Sequence, residues 1–232
     1  MTTSGDAASG DAASGDQGLT GTDAAVRYAV DAAITAAGRR VILGLAGPPG
    51  AGKSTLALAI VARARARMGD SWAAYFPMDG YHLSNAQLKR LGLEYRKGAP
   101  STFDIDGYVA MLSRVAADSG AGIYVPEYDR AMHEPIAARL LVPAPARLVV
   151  TEGNYLALDE PGWRDARRFI DHLWYVEAAD SLREERLLAR QVAGGRAGQA
   201  ARDWVERSDR PNGELVKRSK ANSERTITPA PA

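Results

Sequence analysis

The sequence predicts a three-layer α/β protein, with a mostly parallel five-stranded sheet, helices on both faces and a small helical lid. Three observations predict it. The apolar run Val41-Ile42-Leu43-Gly44-Leu45-Ala46 passes directly into Gly47-Pro48-Pro49-Gly50-Ala51-Gly52-Lys53-Ser54-Thr55, and then into the strong helix former Leu56-Ala57-Leu58-Ala59-Ile60-Val61-Ala62. Four more short strand-like runs recur between helical patterns, at 72–78, 147–153, His172–Val176 and Arg225–Thr228. Two of these runs end in an acid, Asp79 and Glu152, where carboxylates of an open parallel sheet face the ligand crevice.

Residues 47–55 fit G-x-x-x-x-G-K-[ST], the phosphate-binding loop of nucleotide-binding proteins. Its glycines let the backbone wrap so that successive N–H groups point at one anion. Lys53 adds a point charge on the β- and γ-phosphates, and the Ser54 hydroxyl is suited to Mg²⁺. The following helix directs its positive end at the same phosphates. A Gly/Pro-rich turn matching by chance would lack the strand before and the helix after. The nine residues Gly47, Pro48, Pro49, Gly50, Ala51, Gly52, Lys53, Ser54 and Thr55 are therefore the expected nucleotide contacts.

Composition sets the bounds. The 232 residues, 46% of them hydrophobic, suffice for one good core with a small appendage. With 29 basic and 28 acidic residues the formal charge is +1, which supplies no bulk field for nucleic acid or an anionic membrane. The absence of cysteine excludes a disulfide scaffold or thiolate metal site. No apolar run is long enough to span a bilayer and no leader pattern opens the chain, so a cytoplasmic location is expected.

Residues 1–20 are expected to form a disordered tail, because the Ser-Gly-Asp-Ala-Ala repeat offers no large apolar side chain to offset ordering entropy. A single domain spans 21–228, with a lid at about 181–210, and 229–232 is a tail. Thr22 reads as the cap of a helix carrying Val26, Val30 and Ile34, stopped by Gly38. After the second strand, Asp79 is either a base that accepts the proton of a substrate hydroxyl or a turn Asp favoured before Gly80. His82 and His133 match no zinc spacing. Ser84 caps Asn85–Leu91, and Asp104 or Asp106 caps a helix presenting Val109, Leu112 and Ala116. The polar stretch 94–104 between them is long enough to cover a substrate. Asp104-x-x-Gly107 matches a GTPase switch only superficially, since the chain has no Asn-Lys-x-Asp.

The mixed stretch 123–130 reads as a short strand forming a pocket wall. Glu152 ends the third strand, where a carboxylate serves Mg²⁺ directly or through water. Arg225–Thr228 is expected as a fifth, edge strand. In the lid, at about 100° per residue, Arg183, Arg186 and Arg190 share a narrow arc opposite Leu188 and Val192. A salt-bridged face with Glu184 and Glu185 is the simpler alternative. Arg196 lies in the Gly-rich break between two lid helices, 181–192 and 199–208.

With these residues laid out, the chain resembles the P-loop kinases of the phosphoribulokinase/uridine kinase family, near bacterial pantothenate kinase and the "nucleoside/nucleotide kinase" or "fructose transport system kinase" group. The resemblance rests on Phe76-Pro77-Met78-Asp79-Gly80-Tyr81-His82, Arg96-Lys97-Gly98-Ala99-Pro100-x-x-Phe103-Asp104 and Glu152-Gly153-Asn154-Tyr155-Leu156, and spans roughly residues 40–228. It implies a P-loop nucleoside triphosphate hydrolase fold, Asp79 as catalytic base beside Lys53, Glu152 near the metal, and lid arginines Arg186 and Arg190. Around the acceptor it implies Asp79, Tyr81, His82, Arg96, Lys97, Tyr128, Arg130 and Glu152. Pro126-Glu127-Tyr128-Asp129 is more similar to the Pro-x-Tyr-Asp of uridine kinases than to pantothenate kinase, which leaves sugar, nucleoside and pantothenate-like alcohols all open. The expected activity is transfer of the γ-phosphoryl group of ATP, with Mg²⁺, to a hydroxyl of such a small molecule. A homodimer is left open. The rival is a nucleotide-gated P-loop ATPase with a regulatory role, which needs no acceptor base at Asp79.

Overall fold

A computed structural model describes residues 19–118 and 120–229. The expected tail at 1–18 and 230–232 lies outside the described residues. Eight strands and eight helices follow in chain order: β1 (Leu19–Thr20), α1 (Thr22–Thr35), β2 (Val41–Ala46), α2 (Lys53–Met68), β3 (Ala73–Pro77), α3 (Asn85–Leu91), α4 (Ile105–Ala116), β4 (Ile123–Asp129), β5 (Glu134–Val142), β6 (Leu148–Glu152), α5 (Trp163–Arg167), β7 (His172–Val176), α6 (Asp180–Ala193), α7 (Gly198–Trp204), α8 (Arg210–Arg218) and β8 (Arg225–Thr228). A five-residue π-helical turn, Val205–Asp209, joins α7 to α8.

The main sheet has the order β1-β8-β7-β2-β6-β3, and every neighbouring pair is parallel. All five expected strands are in it. Leu19 and Thr20, assigned to the tail from composition, instead pair with Ile227 and Thr228, so β8 is flanked on both sides and is not the edge. The central strand β2 is buried along its whole length, as a strand covered on both faces must be. Val41, Leu43 and Leu45 join the core under α1 and α2 with Leu56, Ile60 and Trp174. Ile42 and Ala46 join the opposite core with Phe76, Tyr108, Leu112 and Trp163. Gly44 is glycine because Ile170 and Leu173 press on it: an added Cβ would lie 2.9 Å from Ile170 Cγ2.

Ser84 and Asp104 cap α3 and α4 as expected, accepting from the amides of Gln87 (3.3 Å) and Gly107 (3.0 Å). Thr22 does not cap α1; Gly21 occupies that position and Thr22 is the first helical residue. The wall expected from residues 123–130 is β4, but it pairs antiparallel with β5 in a separate hairpin. Helix α6 also turns differently from the expected face. It buries Arg183 and Leu187, while Val192 is half exposed.

A buried hydroxyl pair joins α4 to β6, with Tyr108 and Thr151 oxygens 2.6 Å apart and neither side chain exposed. Tyr108→Phe leaves Thr151 without that partner in a sealed core, at a cost of about 1–3 kcal/mol. Urea unfolding should show a lower midpoint with an unchanged slope. An unchanged midpoint would mean the pair contributes nothing.

Candidate active site

The order of the strands assembles the site. Neighbouring β2, β6 and β3 all end on one side of the sheet, and the loop, Glu152 and Asp79 follow or close these three strands. The loop turns on Gly47, Gly50 and Gly52, with φ of 147°, 80° and 95°. At Gly47 a side chain is also excluded by contact, since a Cβ would lie 2.3 Å from the Val176 carbonyl oxygen. Lys53 opens α2 and is 7% exposed. Its Nζ donates to the Pro48 carbonyl (3.1 Å) and to Asn154 Oδ1 (2.6 Å). Burial lowers its pKa to about 8, although the charges of Glu152 and Asp79 pull the other way.

Glu152 is 3% exposed. One of its oxygens, Oε1, accepts from the Ser54 hydroxyl and from the Tyr75 hydroxyl, both at 2.8 Å. Burial raises the pKa of its carboxyl group, and the Asp79 charge adds to the effect. The same burial, together with Glu152, holds the Tyr75 phenol far above its ordinary range. Within the loop Pro48, Pro49 and Ala51 are buried, while Thr55 is exposed. Ser54 and Glu152 offer hard oxygens side by side, a donor set that fits a Mg²⁺ completed by water and phosphate oxygens. Among the described residues no three His, Cys, Asp or Glu side chains come together into a fuller cage.

Asp79 sits in the turn just past β3. The Arg130 guanidinium is 3.7 Å from its Oδ2, and His82 Nε2 is 3.9 Å from its Oδ1. His82 stacks on Phe103 with ring centres 4.0 Å apart and leans on Tyr128 at 5.0 Å. Burial pushes its pKa down to about 4, against the pull of Asp79. Lys97 donates to the His133 carbonyl (2.6 Å) and to Asn85 Oδ1, and its ammonium stands 5.3 Å from the centre of the Tyr128 ring. Arg96 is exposed nearby. Tyr155 donates to the Gly98 carbonyl and so ties this loop to the end of β6.

Among the residues expected around the acceptor, Tyr81 is the correction. It packs between Phe76 and Tyr108 in the core, with centroid separations of 5.9 and 5.2 Å, and its buried hydroxyl has no partner among the described residues. The following residue, His82, is the one that turns toward Asp79. The lid arginines divide. Arg186 donates to the Gly50 carbonyl at 3.3 Å, on the outside of the loop. The charge of Arg190 acts on Lys53, Tyr128 and Asp209. Arg196 turns away, donating to Gln191 and stacking on Trp204 at 4.0 Å within the lid. Arg183, expected only as one of three arginines on the arc of the lid helix, donates to the Pro49 carbonyl. Tyr75 and Asn154 contact Glu152 and Lys53 without having been assigned a role. Asn154 could have been found from its place two residues past Glu152. Tyr75 carried no signal distinguishing it from other strand residues.

No family model matches the chain. It is 37% identical over 178 residues to the "Uncharacterized protein YggC" of Escherichia coli, covering 77% of this chain and 73% of that protein. It is 34% identical over 177 residues to a Schizosaccharomyces pombe protein named "Putative uridine kinase", covering 74% of each. Among solved structures, a "putative fructose transport system kinase" from Silicibacter superposes with a TM-score of 0.73 at 31% identity, covering 86% of this chain and 98% of that one.

The buried imidazole of His82 makes stability depend on pH. An unfolded histidine titrates near 6.5, so between about 6.5 and about 4 the unfolded chain holds a proton that the folded chain excludes. Stability should fall as pH drops through that window. In His82→Phe, which keeps the stack on Phe103, this part of the acid loss should vanish in urea titrations at a series of pH values. A difference between the two proteins that stays constant with pH would show that His82 is not buried in its neutral form.

Proposed function

This chain belongs to the P-loop kinases of the phosphoribulokinase/uridine kinase family, and on that premise we propose that it transfers the γ-phosphoryl group of ATP, with Mg²⁺, to a hydroxyl of a sugar, nucleoside or pantothenate-like molecule. One observation carries this. The phosphate loop, the buried Glu152 and Asp79 lie at the same ends of three adjacent parallel strands, close enough for the Asp79 charge to act on both Lys53 and Glu152.

Loop amides and Lys53 hold the phosphates, where Lys53 exchanges Asn154 and the Pro48 carbonyl for anionic oxygens. Ser54 and Glu152 would hold the metal, and Mg²⁺ bound there would supply positive charge against the phosphates. Asp79 accepts the proton of the acceptor hydroxyl as its oxygen bonds to the γ-phosphorus and ADP leaves. Arg130 stands beside Asp79, its guanidinium 3.7 Å from Oδ2. His82 stays neutral and buried, so it shapes the wall and leaves the proton to Asp79. Arg190 lies toward the cleft and counters charge on the transferring group.

A screen of nucleosides, pentoses, hexoses and pantothenate for acceptor-dependent ADP release tests this. In Asp79→Asn, transfer to the acceptor should fall about 10²–10⁴-fold, the range for general-base catalysis, with ATP affinity little changed. An ATPase rate that no acceptor accelerates, and that is equal in the wild type and Asp79→Asn, would sink the kinase assignment in favour of a nucleotide-gated regulator.

Lys53 supplies a second test, by pH. Its charge is present below a pKa of about 8 and is lost above it. Since kcat/KM reports the free enzyme, kcat/KM for ATP should decline as pH rises through about 8. A flat profile from pH 7 to 9.5 would mean that the Lys53 charge plays no part in capturing ATP.

A further inference from the structure

A loop that turns its amides inward to hold an anion must turn carbonyls outward, and a buried carbonyl needs a donor. Three consecutive carbonyls on this loop find theirs in different places. Pro48 accepts from the Ala51 amide at 3.2 Å and from Lys53 at 3.1 Å. Pro49 accepts from Arg183 Nε at 3.0 Å, and Gly50 from Arg186 at 3.3 Å. The Pro49 carbonyl is thus held from outside the loop, by a side chain of α6.

Arg183 is unlike the other lid arginines. It is 4% exposed, and its guanidinium is fixed on three sides. Nε meets the loop, and Nη1 donates to Asp180 Oδ1 in the first turn of α6. Nη2 fills the space where a side chain on Gly213 of α8 would be, 2.5 Å from the Cβ position. Asp180 is itself held by Lys217 of α8, at 2.6 Å. Backbone contact reinforces the link, since a Cβ on Gly50 would lie 2.8 Å from the Arg183 carbonyl oxygen.

We propose that Arg183 is a positioning residue for nucleotide binding: by tying the Pro49 carbonyl to the start of α6 and to α8, it sets the shape in which the loop amides meet the phosphates. This rests on the phosphate-loop assignment made above. The role calls for arginine, because only its planar fork presents donors at fixed angles to the loop and to Asp180 together; a lysine reaches one of them at a time. It acts through the loop, so its loss weakens ATP and leaves the acceptor side alone.

The experiment measures ATP affinity directly by calorimetry without acceptor, together with KM for ATP and for the acceptor, on Arg183→Met, Arg183→Lys and Asp180→Ala. Arg183→Met keeps the buried stem and removes the donors. The affinity for ATP should fall about 10–100-fold, the scale of one charged hydrogen bond, while KM for the acceptor stays within about twofold. Arg183→Lys should recover part of the loss. Asp180→Ala leaves the loop contact but frees the guanidinium, and should weaken ATP in the same direction by less. If Arg183→Met does not fold, Asp180→Ala decides, because Asp180 is mostly exposed. ATP affinity within twofold of wild type in the folded variants would overturn the proposal. So would an equal rise in KM for ATP and for the acceptor, which is what a merely structural residue would give. Wild-type affinity for ATP is the control. Its absence would remove the phosphate-loop assignment and this proposal together, whereas normal wild-type binding unaffected by the substitutions would remove the role of Arg183 alone.

Discussion

Glu152 is a carboxylate almost wholly withdrawn from water, and such a group persists only where hydrogen bonds and opposite charge replace its hydration. The replacements come from two parts of the chain. The Lys53 charge and the Ser54 hydroxyl belong to the first turn of α2, and Tyr75 to the neighbouring strand β3. Both hydroxyls serve the same oxygen. The carboxylate is therefore oriented as well as stabilised, and β3, β6 and the start of α2 are fixed relative to one another by a single group. Lys53 is held in turn by Asn154, two residues beyond Glu152. A site built this way is rigid before any ligand arrives, which is what electrostatic preorganisation requires.

The parallel sheet makes this possible. Strands β2, β6 and β3 run in register side by side and end together. A loop after the first, an acid closing the second and an acid just past the third are then brought together by pairing alone, though 73 residues of sequence separate Asp79 from Glu152. The hairpin of β4 and β5 adds what the sheet cannot supply. Arg130 and His133 belong to its tip, and Tyr128 leads into it. Glu134 accepts from the Asn85 amide at the start of α3, so the tip is pinned beside Asp79. Polar side chains of the wall thus rest on a separate element with its own core contacts through Ile123, Val125 and Val142.

What was legible in the sequence follows from what governs each element. The inner strands of the main sheet are covered on both faces, so they appear as apolar runs, and the five strands expected all form, with β1 as a sixth. The hairpin strand β5 was missed because Glu134-Pro135-Ile136-Ala137-Ala138-Arg139 has one exposed face and shows no clean alternation. Helix α8 was missed because Pro211, Asn212 and Gly213 read as a break. Pro211 lies just past the π-helical turn, at the first positions of α8. The loop was legible because phosphate chemistry fixes its glycine spacing. Tyr81 and His82 were adjacent and equally plausible, and the tight turn after β3 sends one into the core and the other to Asp79, which no local pattern announces. Leu19 and Thr20 show the limit of composition, since a short parallel pairing needs only backbone groups and a neighbouring strand.

The lid arginines show how helical spacing distributes function along one face. Steps of three and four residues put Arg183, Arg186 and Arg190 nearly in line, about 5 Å apart along the axis. The first lies where α6 leaves the sheet and is surrounded by the loop and α8. There its guanidinium is held by the Pro49 carbonyl and Asp180, and it becomes part of the scaffold. The second lies half-buried against Gly50. The third has passed beyond the loop and lies exposed, with Asp209 of the π-helical turn among the groups its charge acts on. Of the three, Arg190 alone donates to no loop carbonyl among the described residues, because the helix has carried it past Gly50, the last carbonyl that its neighbours hold.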